Sequence, residues 1–203
     1  MGAKPKRIGF GIVILLAAAI VAALAAAGSF GGGARGPGTL DPPLAGGSAP
    51  TAAGSTARFA FLARQTSNSC GLEPAAVERM PGRMRLQGSC CFPMNLAAYR
   101  SQVRGLRAYA SVPQIPADPY DVPVSLAKRM LAYDRTVHLT LAQARVYARA
   151  MRMSREKGPC CCRCWRWNAF RGLSEHLIAD LQWRSGAVAE VIDLVEGCGG
   201  PAD

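Results

Sequence analysis

Cysteine is the residue type in this 203-residue chain whose number and spacing most clearly suggest chemistry. Of eight cysteines, four fall within five positions and two more are adjacent. They are Cys70, Cys90, Cys91, Cys160, Cys161, Cys162, Cys164 and Cys198. Thiolates bind soft and borderline metal ions, and they are also the nucleophiles of thiol–disulfide exchange. The clustering therefore predicts metal binding or thiol chemistry.

The densest group of cysteines follows Pro159, which we expect to open a helix. At a helix N-terminus, unpaired N–H groups and the helix dipole favour anions and lower the pKa of a thiol. Cys161 and Cys164 form a C-x-x-C pair, and Cys160 and Cys164 would share one helix face. An all-sulfur set selects copper(I) or zinc(II). The predicted metal ligands are Cys160, Cys161, Cys162, Cys164, Cys90 and Cys91.

Disulfide bonding is the main alternative to metal binding. An even number of cysteines in an exported domain is typical of a disulfide framework. However, neighbouring Cα atoms lie about 3.8 Å apart and successive helical side chains diverge, so four bridges from little more than one turn would be strained. A disulfide-stapled scaffold therefore stays open, as does a redox protein that uses Cys161 and Cys164.

Other residue patterns give no indication of catalysis. The sequence shows no Ser/His/Asp set, no phosphate-binding loop and no carboxylate pair of recognisable spacing. His138 has no evident partner, and His176 lies twelve residues beyond Cys164 on the predicted helix. These absences favour a binding protein over a hydrolytic or nucleotide-dependent enzyme.

The first thirty residues predict export. Three cationic residues precede an uncharged apolar run over residues 8–27. Twenty helical residues at about 1.5 Å each can cross a hydrocarbon core, and the cationic flank places the N-terminus in the cytoplasm. We expect residues 1–27 to be a single-pass anchor in the cell membrane, with the C-terminal domain outside the cytoplasm. A signal peptide cleaved near Ala23–Ala25 is the alternative.

The rest of the chain divides by composition. Residues 28–57 are rich in Gly, Pro and Ala without an apolar period, which is typical of a disordered linker. Residues 58–203 suit one domain with a modest core. The net charge is +11, but the arginines are scattered through every segment. This distribution argues against nucleic-acid binding. A basic surface near anionic lipid headgroups is one explanation of the charge, and a compositional bias towards alanine and arginine is a simpler one.

The exported domain is predicted to be all-α. Apolar residues recur at three- and four-residue steps, and no segment shows the alternation of a strand. A stretch with four prolines, residues 111–123, is expected to be a loop. Helices are expected over residues 74–80, 93–110, 124–133, 141–155, 159–181 and 185–195.

The order of an apolar leader, a linker, helices and a Pro-Cys-Cys-Cys-Arg-Cys run resembles the bacterial exported proteins named for a Pro-Cys-Tyr-Cys-Gly-Cys motif. Four residues match that motif in spacing: Pro159, Cys160, Cys162 and Cys164. Here Cys161 replaces the tyrosine and Arg163 the glycine, and the histidine and cysteine expected soon afterwards are missing. The resemblance implies exported thiol chemistry.

Overall fold

The fold is mainly helical, with one small antiparallel sheet in the part of the chain that the structure describes. The computed structural model describes residues 52–155 and 163–200. Its helices are α1 (Thr56–Leu62), α2 (Pro74–Arg79), α3 (Leu96–Leu106), α4 (Val124–Thr136), α5 (Leu141–Met153), α6 (Trp165–Ala179) and α7 (Ser185–Val195). Strand β1 (Arg85–Gln87) pairs with β2 (Asp121–Pro123), and a 3-10 turn (Arg107–Tyr109) follows α3.

The predicted membrane anchor, residues 8–27, lies outside the described residues. Among the residues that are described, no helix combines the length and the apolar character that crossing a membrane requires. The predicted linker also falls outside them, apart from its last six residues. Those six include the start of α1, since Ser55 caps that helix by accepting a hydrogen bond from the Arg58 N–H at 3.1 Å.

Helices α4 and α6 form the centre of the main hydrophobic core. Gly172 of α6 sets their close approach, because a Cβ there would lie 2.3 Å from the Met130 carbonyl oxygen. Trp165, at the start of α6, is fully buried in the same core. The other large core residues, from α2, the sheet and the helices, include Val77, Leu86, Val122, Leu131, Leu173, Leu177 and Val191.

Several predicted helices are confirmed. Helix α4 begins at Val124, and α7 covers the predicted range. Helix α5 begins at Leu141 behind a capping box, in which Thr140 accepts from the Gln143 N–H while Gln143 accepts from the Thr140 N–H. Apolar spacing predicted each of these helices, with a start signal at Thr140 for α5 and a stop signal at Gly197 for α7.

The sheet corrects the all-α prediction. Strand β2 lies inside the proline-rich stretch that was predicted to be a loop, where Val122 pairs with Leu86 of β1 and both are fully buried. Each strand is three residues long, too short to show a period of two. Their pairing was therefore not visible in the sequence.

The helix that was predicted to start at Pro159 begins at Trp165 instead. Arg163 has φ of +42°, in the left-handed region, and Cys164 is the extended N-cap residue. Cys164 therefore precedes the helix, and the interpretation that Cys160 and Cys164 share one helix face was wrong. Residues 156–162 lie outside the described range.

A group of buried ion pairs ties α1 to the sheet. We call Asp118, Asp121 and the side chains bound to them the carboxylate cluster. Asp121 pairs with Arg58 and with Arg85 Nε, the latter at 2.5 Å. Asp118 accepts from the hydroxyl of Tyr99 at 2.8 Å. Every oxygen of both carboxylates has a partner, since Gln87 and the Tyr120 N–H complete the set.

Candidate thiol site

Cysteines from three separate parts of the chain meet at Cys90. Its sulfur lies 3.4 Å from Cys91 Sγ and 3.8 Å from Cys164 Sγ. The thiol of Cys198 is a third hydrogen-bonding neighbour of Cys90. We call Cys90, Cys91, Cys164 and Cys198 the thiol cluster. Cys90 and Cys164 are buried, while Cys91 and Cys198 are half-buried.

Backbone pairing holds two sides of the thiol cluster together. The N–H of Cys90 donates to the Gly197 carbonyl at 3.1 Å, and the N–H of Cys91 donates to the Cys198 carbonyl at 3.2 Å. Gly199 has φ of +78°, and a Cβ there would lie 2.1 Å from the Phe92 carbonyl oxygen. Only glycine fits at this position, since a side chain would meet both strain and a clash.

Trp165 fixes the position of Cys164. The backbone N–H of Trp165 donates to the Leu72 carbonyl at 2.9 Å, and its indole Nε1–H donates to Asn68 Oδ1 at 2.9 Å. Asn168 also donates to the Cys164 carbonyl at 3.1 Å. Because its neighbour is anchored in the core, the Cys164 thiol is held against Cys90.

The two buried thiols differ in acidity, and Cys164 loses its proton more readily than Cys90. Cys90 donates a hydrogen bond to Cys164, which lowers the pKa of Cys164 from an ordinary 9.0 to about 5. The N–H groups of Trp167 and Arg166 lower it further, against the opposing effect of burial. The pKa of Cys90 is raised, first by its hydrogen bond to Cys164 and then by that to Cys198 and by burial. Cys164 is therefore the thiolate of the pair at neutral pH.

Arg166 supplies a buried positive charge beside Cys164. Its guanidinium donates to the carbonyls of Val195 at 2.9 Å and Pro119 at 2.6 Å. Arg166 makes no ion pair with a carboxylate of the described residues. A buried cation needs a compensating charge, and the Cys164 thiolate, whose pKa Arg166 lowers, provides one.

A small cavity of about 40 Å³ opens beside the thiols. Its walls are mainly apolar and come from the start of α6 and from the end of α7 with the turn after it. The residues that line it are Cys164, Arg166, Trp167, Phe170, Ile192, Glu196, Gly197 and Cys198. Such a volume holds a single water molecule or ion rather than an organic ligand.

Cys70 lies next to the thiol cluster but differs from it chemically. Its sulfur and those of Cys90 and Cys91 all lie within 4.8 Å of one another, which is close enough for one metal ion. Cys70 is disulfide-bonded, however. A disulfide sulfur is not a thiolate, so in this state we exclude Cys70 from the ligand set. Reduction of this disulfide would add Cys70 to the ligand set.

Three of the six predicted metal ligands lie within the described residues and meet at one place: Cys90, Cys91 and Cys164. The other three, Cys160, Cys161 and Cys162, lie outside the described residues. The predicted set omitted Cys198 and Cys70. Cys198 had a local signal, since flanking glycines indicated a turn able to approach another sulfur. Cys70 had no local signal, because its approach to Cys90 and Cys91 depends on tertiary folding.

Comparisons of the chain with protein-family models, with curated proteins and with solved structures gave no match.

Proposed function

We propose that this protein binds a soft metal ion, copper(I) or zinc(II), through the thiol cluster. One observation carries the proposal: Cys90 Sγ lies 3.8 Å from Cys164 Sγ and 3.4 Å from Cys91 Sγ. Sulfurs about 2.3 Å from a tetrahedral zinc ion are about 3.8 Å from one another. Little movement is then needed to place an ion between these sulfurs.

The charges of the site also favour a metal ion. Cys164 already carries negative charge at neutral pH, because its pKa is lowered to about 5. A metal ion would displace the proton that Cys90 donates, since thiolates are the ligating form. In the fully reduced protein, Cys160, Cys161 and Cys162 are further donors in this proposal. Aromatic walls at Trp167 and Phe170 would keep water from the bound ion.

Tethering to the cell membrane is part of the same proposal. The apolar run over residues 8–27 supports a single-pass anchor with this domain outside the cytoplasm. A metal site held there would bind or sequester ions at the membrane surface.

The test combines metal analysis with thiol counting. The full chain, purified under reducing and oxygen-free conditions, is titrated with copper(I) or zinc(II), and bound metal is measured after desalting. We expect stoichiometric metal and the absorption of metal–thiolate bonds. Cys90→Ser should weaken binding by more than about 100-fold, since even the outer partners of ligands contribute about 10–100-fold.

Met153→Leu is the matched control, because Met153 is an exposed sulfur residue on α5, away from the thiol cluster. This variant should bind metal as the wild type does. Blocked thiols without metal in protein from an oxidising compartment, or equal metal binding by Cys90→Ser and the wild type, would contradict the proposal.

A second candidate is thiol–disulfide exchange, favoured by the lowered pKa of Cys164 and by the nearness of Cys90. The Cys164 thiolate would attack a substrate disulfide and release one substrate thiolate. The deprotonated sulfur of Cys90 would then attack Cys164 Sγ, form a Cys90–Cys164 disulfide and release the second. Accumulation of that disulfide on mixing with oxidised glutathione, without metal binding, would favour this candidate.

A further inference from the structure

We propose that a second site, at the opposite end of α6 from Cys164, binds the headgroups of anionic lipids. It is a groove between α5, the end of α6 and the start of α7, with a volume of about 650 Å³. The lining residues are Gln143, Arg145, Val146, Arg149, Ile178, Gln182, Trp183, Arg184 and Ser185. We call it the arginine groove. No residue of the thiol cluster lines it, and the inference does not depend on metal binding.

Three arginines give the groove its charge. Arg145, Arg149 and Arg184 are exposed, and no acidic residue lines the groove with them. Within residues 52–155 and 163–200, none of the three makes an ion pair. Other arginines of the domain do pair, such as Arg171 with Asp134. The groove thus has a positive charge that an anionic ligand can neutralise.

The backbone around the groove adds to this preference. Arg184 is the N-cap of α7 and makes no side-chain cap hydrogen bond, and the first turn of that helix has no acidic residue. The N–H groups of the first turn are therefore left to other acceptors. Gln182, in the wall, has φ of +56°, which a non-glycine residue adopts at a cost.

Exposed apolar side chains beside the groove favour a membrane over a soluble anion. Five large apolar residues are exposed in the described chain. Two of them are on α5, Leu141 (83 % exposed) and Met153 (54 %), and a third, Leu181 (42 %), is in the connection from α6 to α7. Leu141, Arg145 and Arg149 follow one another at four-residue steps along one face of α5. Met153 Cε lies within 3.8 Å of the Cβ position at Gly186, near the start of α7.

Arginines beside exposed aliphatic residues are typical of a protein face that lies in the interface of an anionic membrane. The arginines contact phosphates while the aliphatic side chains enter the acyl boundary. Trp183, half-exposed in the groove, suits the headgroup level. An acidic protein surface would satisfy the charges but would leave Leu141 without a role.

The test uses the full chain reconstituted into two kinds of bilayer, one of phosphatidylcholine and one of phosphatidylcholine mixed with phosphatidylserine. Hydrogen exchange of backbone amides is followed in α5 and in the first turn of α7. We expect slower exchange in both segments on the anionic bilayer, and loss of this protection as salt screens the charges.

Two triple variants locate the effect. Replacing Arg145, Arg149 and Arg184 by glutamine should abolish the protection. The control replaces Arg64, Arg107 and Arg129, which are exposed outside the groove, and so lowers the net charge equally. It should retain the protection. Equal loss in both variants would overturn the site, since total charge alone would then explain binding.

Two further outcomes would also overturn the inference. If inorganic phosphate gives the same protection on phosphatidylcholine bilayers, the groove binds small anions and not lipid. If exchange in both segments is the same on the two bilayers, the groove has no preference for anionic lipid, and its occupant would be an acidic protein surface or nothing.

Discussion

The thiol cluster and the carboxylate cluster each contain a buried central residue, but the polar atoms of these residues have different partners. Asp121 and Cys164 are each 2 % exposed. The Asp121 carboxylate accepts from Arg58, from Arg85 and, at 3.1 Å, from Gln87. Among side chains in the part of the chain described, the Cys164 thiol has only the thiol of Cys90, at 3.8 Å, as a hydrogen-bonding partner.

This difference in hydrogen-bonding partners distinguishes the carboxylate cluster, a structural site, from the thiol cluster, whose sulfurs remain able to react. Burial raises the pKa of Asp118, and the hydrogen bonds from the Tyr99 hydroxyl and the Tyr120 N–H partly oppose that effect. With every carboxylate oxygen paired, nothing is left for a ligand. Thiol–thiol hydrogen bonds are weak, and a metal ion or a disulfide can replace them at little cost. We infer that stability depends on the first cluster and chemistry on the second.

Asp121→Asn should have the largest effect on stability. It removes the charge that Arg58 and Arg85 share, and leaving one partner of a buried ion pair costs about 3–5 kcal/mol. Urea unfolding followed by circular dichroism measures the free energy of unfolding. Metal binding by the protein that stays folded should be unchanged, because the thiol cluster is not touched.

Glu78→Gln is the control for Asp121→Asn. It breaks the exposed ion pair between Glu78 and Arg135, whose charged atoms are 2.8 Å apart. Exposed pairs contribute about 0–1 kcal/mol, so the free energy of unfolding should hardly change. Equal losses in the two variants would show that the carboxylate cluster is not the structural site described above.

The sequence was sufficient to predict the long helices, and the reason is visible in particular residues. Thr140 with Gln143 forms a start signal that depends only on local spacing, and α7 has both a clear apolar repeat and Gly197 beyond its end. Strand β2 depends on long-range pairing with β1, so nothing local revealed it. The start of α6 at Trp165 coincides with two long-range hydrogen bonds of that residue, to Leu72 and Asn68, which no local spacing reveals.

The candidate site was predicted only in part, because local sequence patterns revealed some of its residues and long-range contacts bring in the others. Adjacent cysteines in the sequence indicated where sulfur is dense, and Cys90, Cys91 and Cys164 do meet. Cys198 reaches Cys90 only because backbone hydrogen bonds join residues 90–92 to residues 197–198. The thiolate character of Cys164 also depends on Arg166, whose burial between Val195 and Pro119 no spacing rule predicts.

Gly199→Ala should have an intermediate effect and should act on the thiol cluster. A methyl group there would lie 2.1 Å from the Phe92 carbonyl oxygen, at a backbone φ of +78°. We expect a loss of roughly 1–3 kcal/mol in the free energy of unfolding and weaker metal binding, because Cys198 would move away from Cys90. Urea unfolding and metal titration measure the two effects.

Gly200→Ala is matched to Gly199→Ala. Gly200 also has a positive φ, +110°, but nothing lies within 4 Å of the added methyl group. Both variants therefore bear a backbone cost, and only Gly199→Ala adds the clash. If Gly200→Ala weakens metal binding as much, the close approach at Phe92 does not organise the thiol cluster.

The last prediction is a dependence of stability on pH that Cys164 confers on the metal-free protein. Its pKa is lowered from 9.0 to about 5 on folding, so its contribution to stability is complete above pH 9 and is lost as pH falls through about 5. The pKa of Cys90 is raised from 9.0, so below about pH 8 Cys90 stays protonated in both states and contributes no slope. Between about pH 5 and pH 8 the free energy of unfolding of the wild type should therefore rise relative to that of Cys164→Ser. Urea unfolding at several pH values gives this difference, in which the titration of the carboxylates cancels. Parallel curves for the two proteins would show that Cys164 is an ordinary buried thiol, and the contrast with the fully paired carboxylates would then lose its chemical meaning.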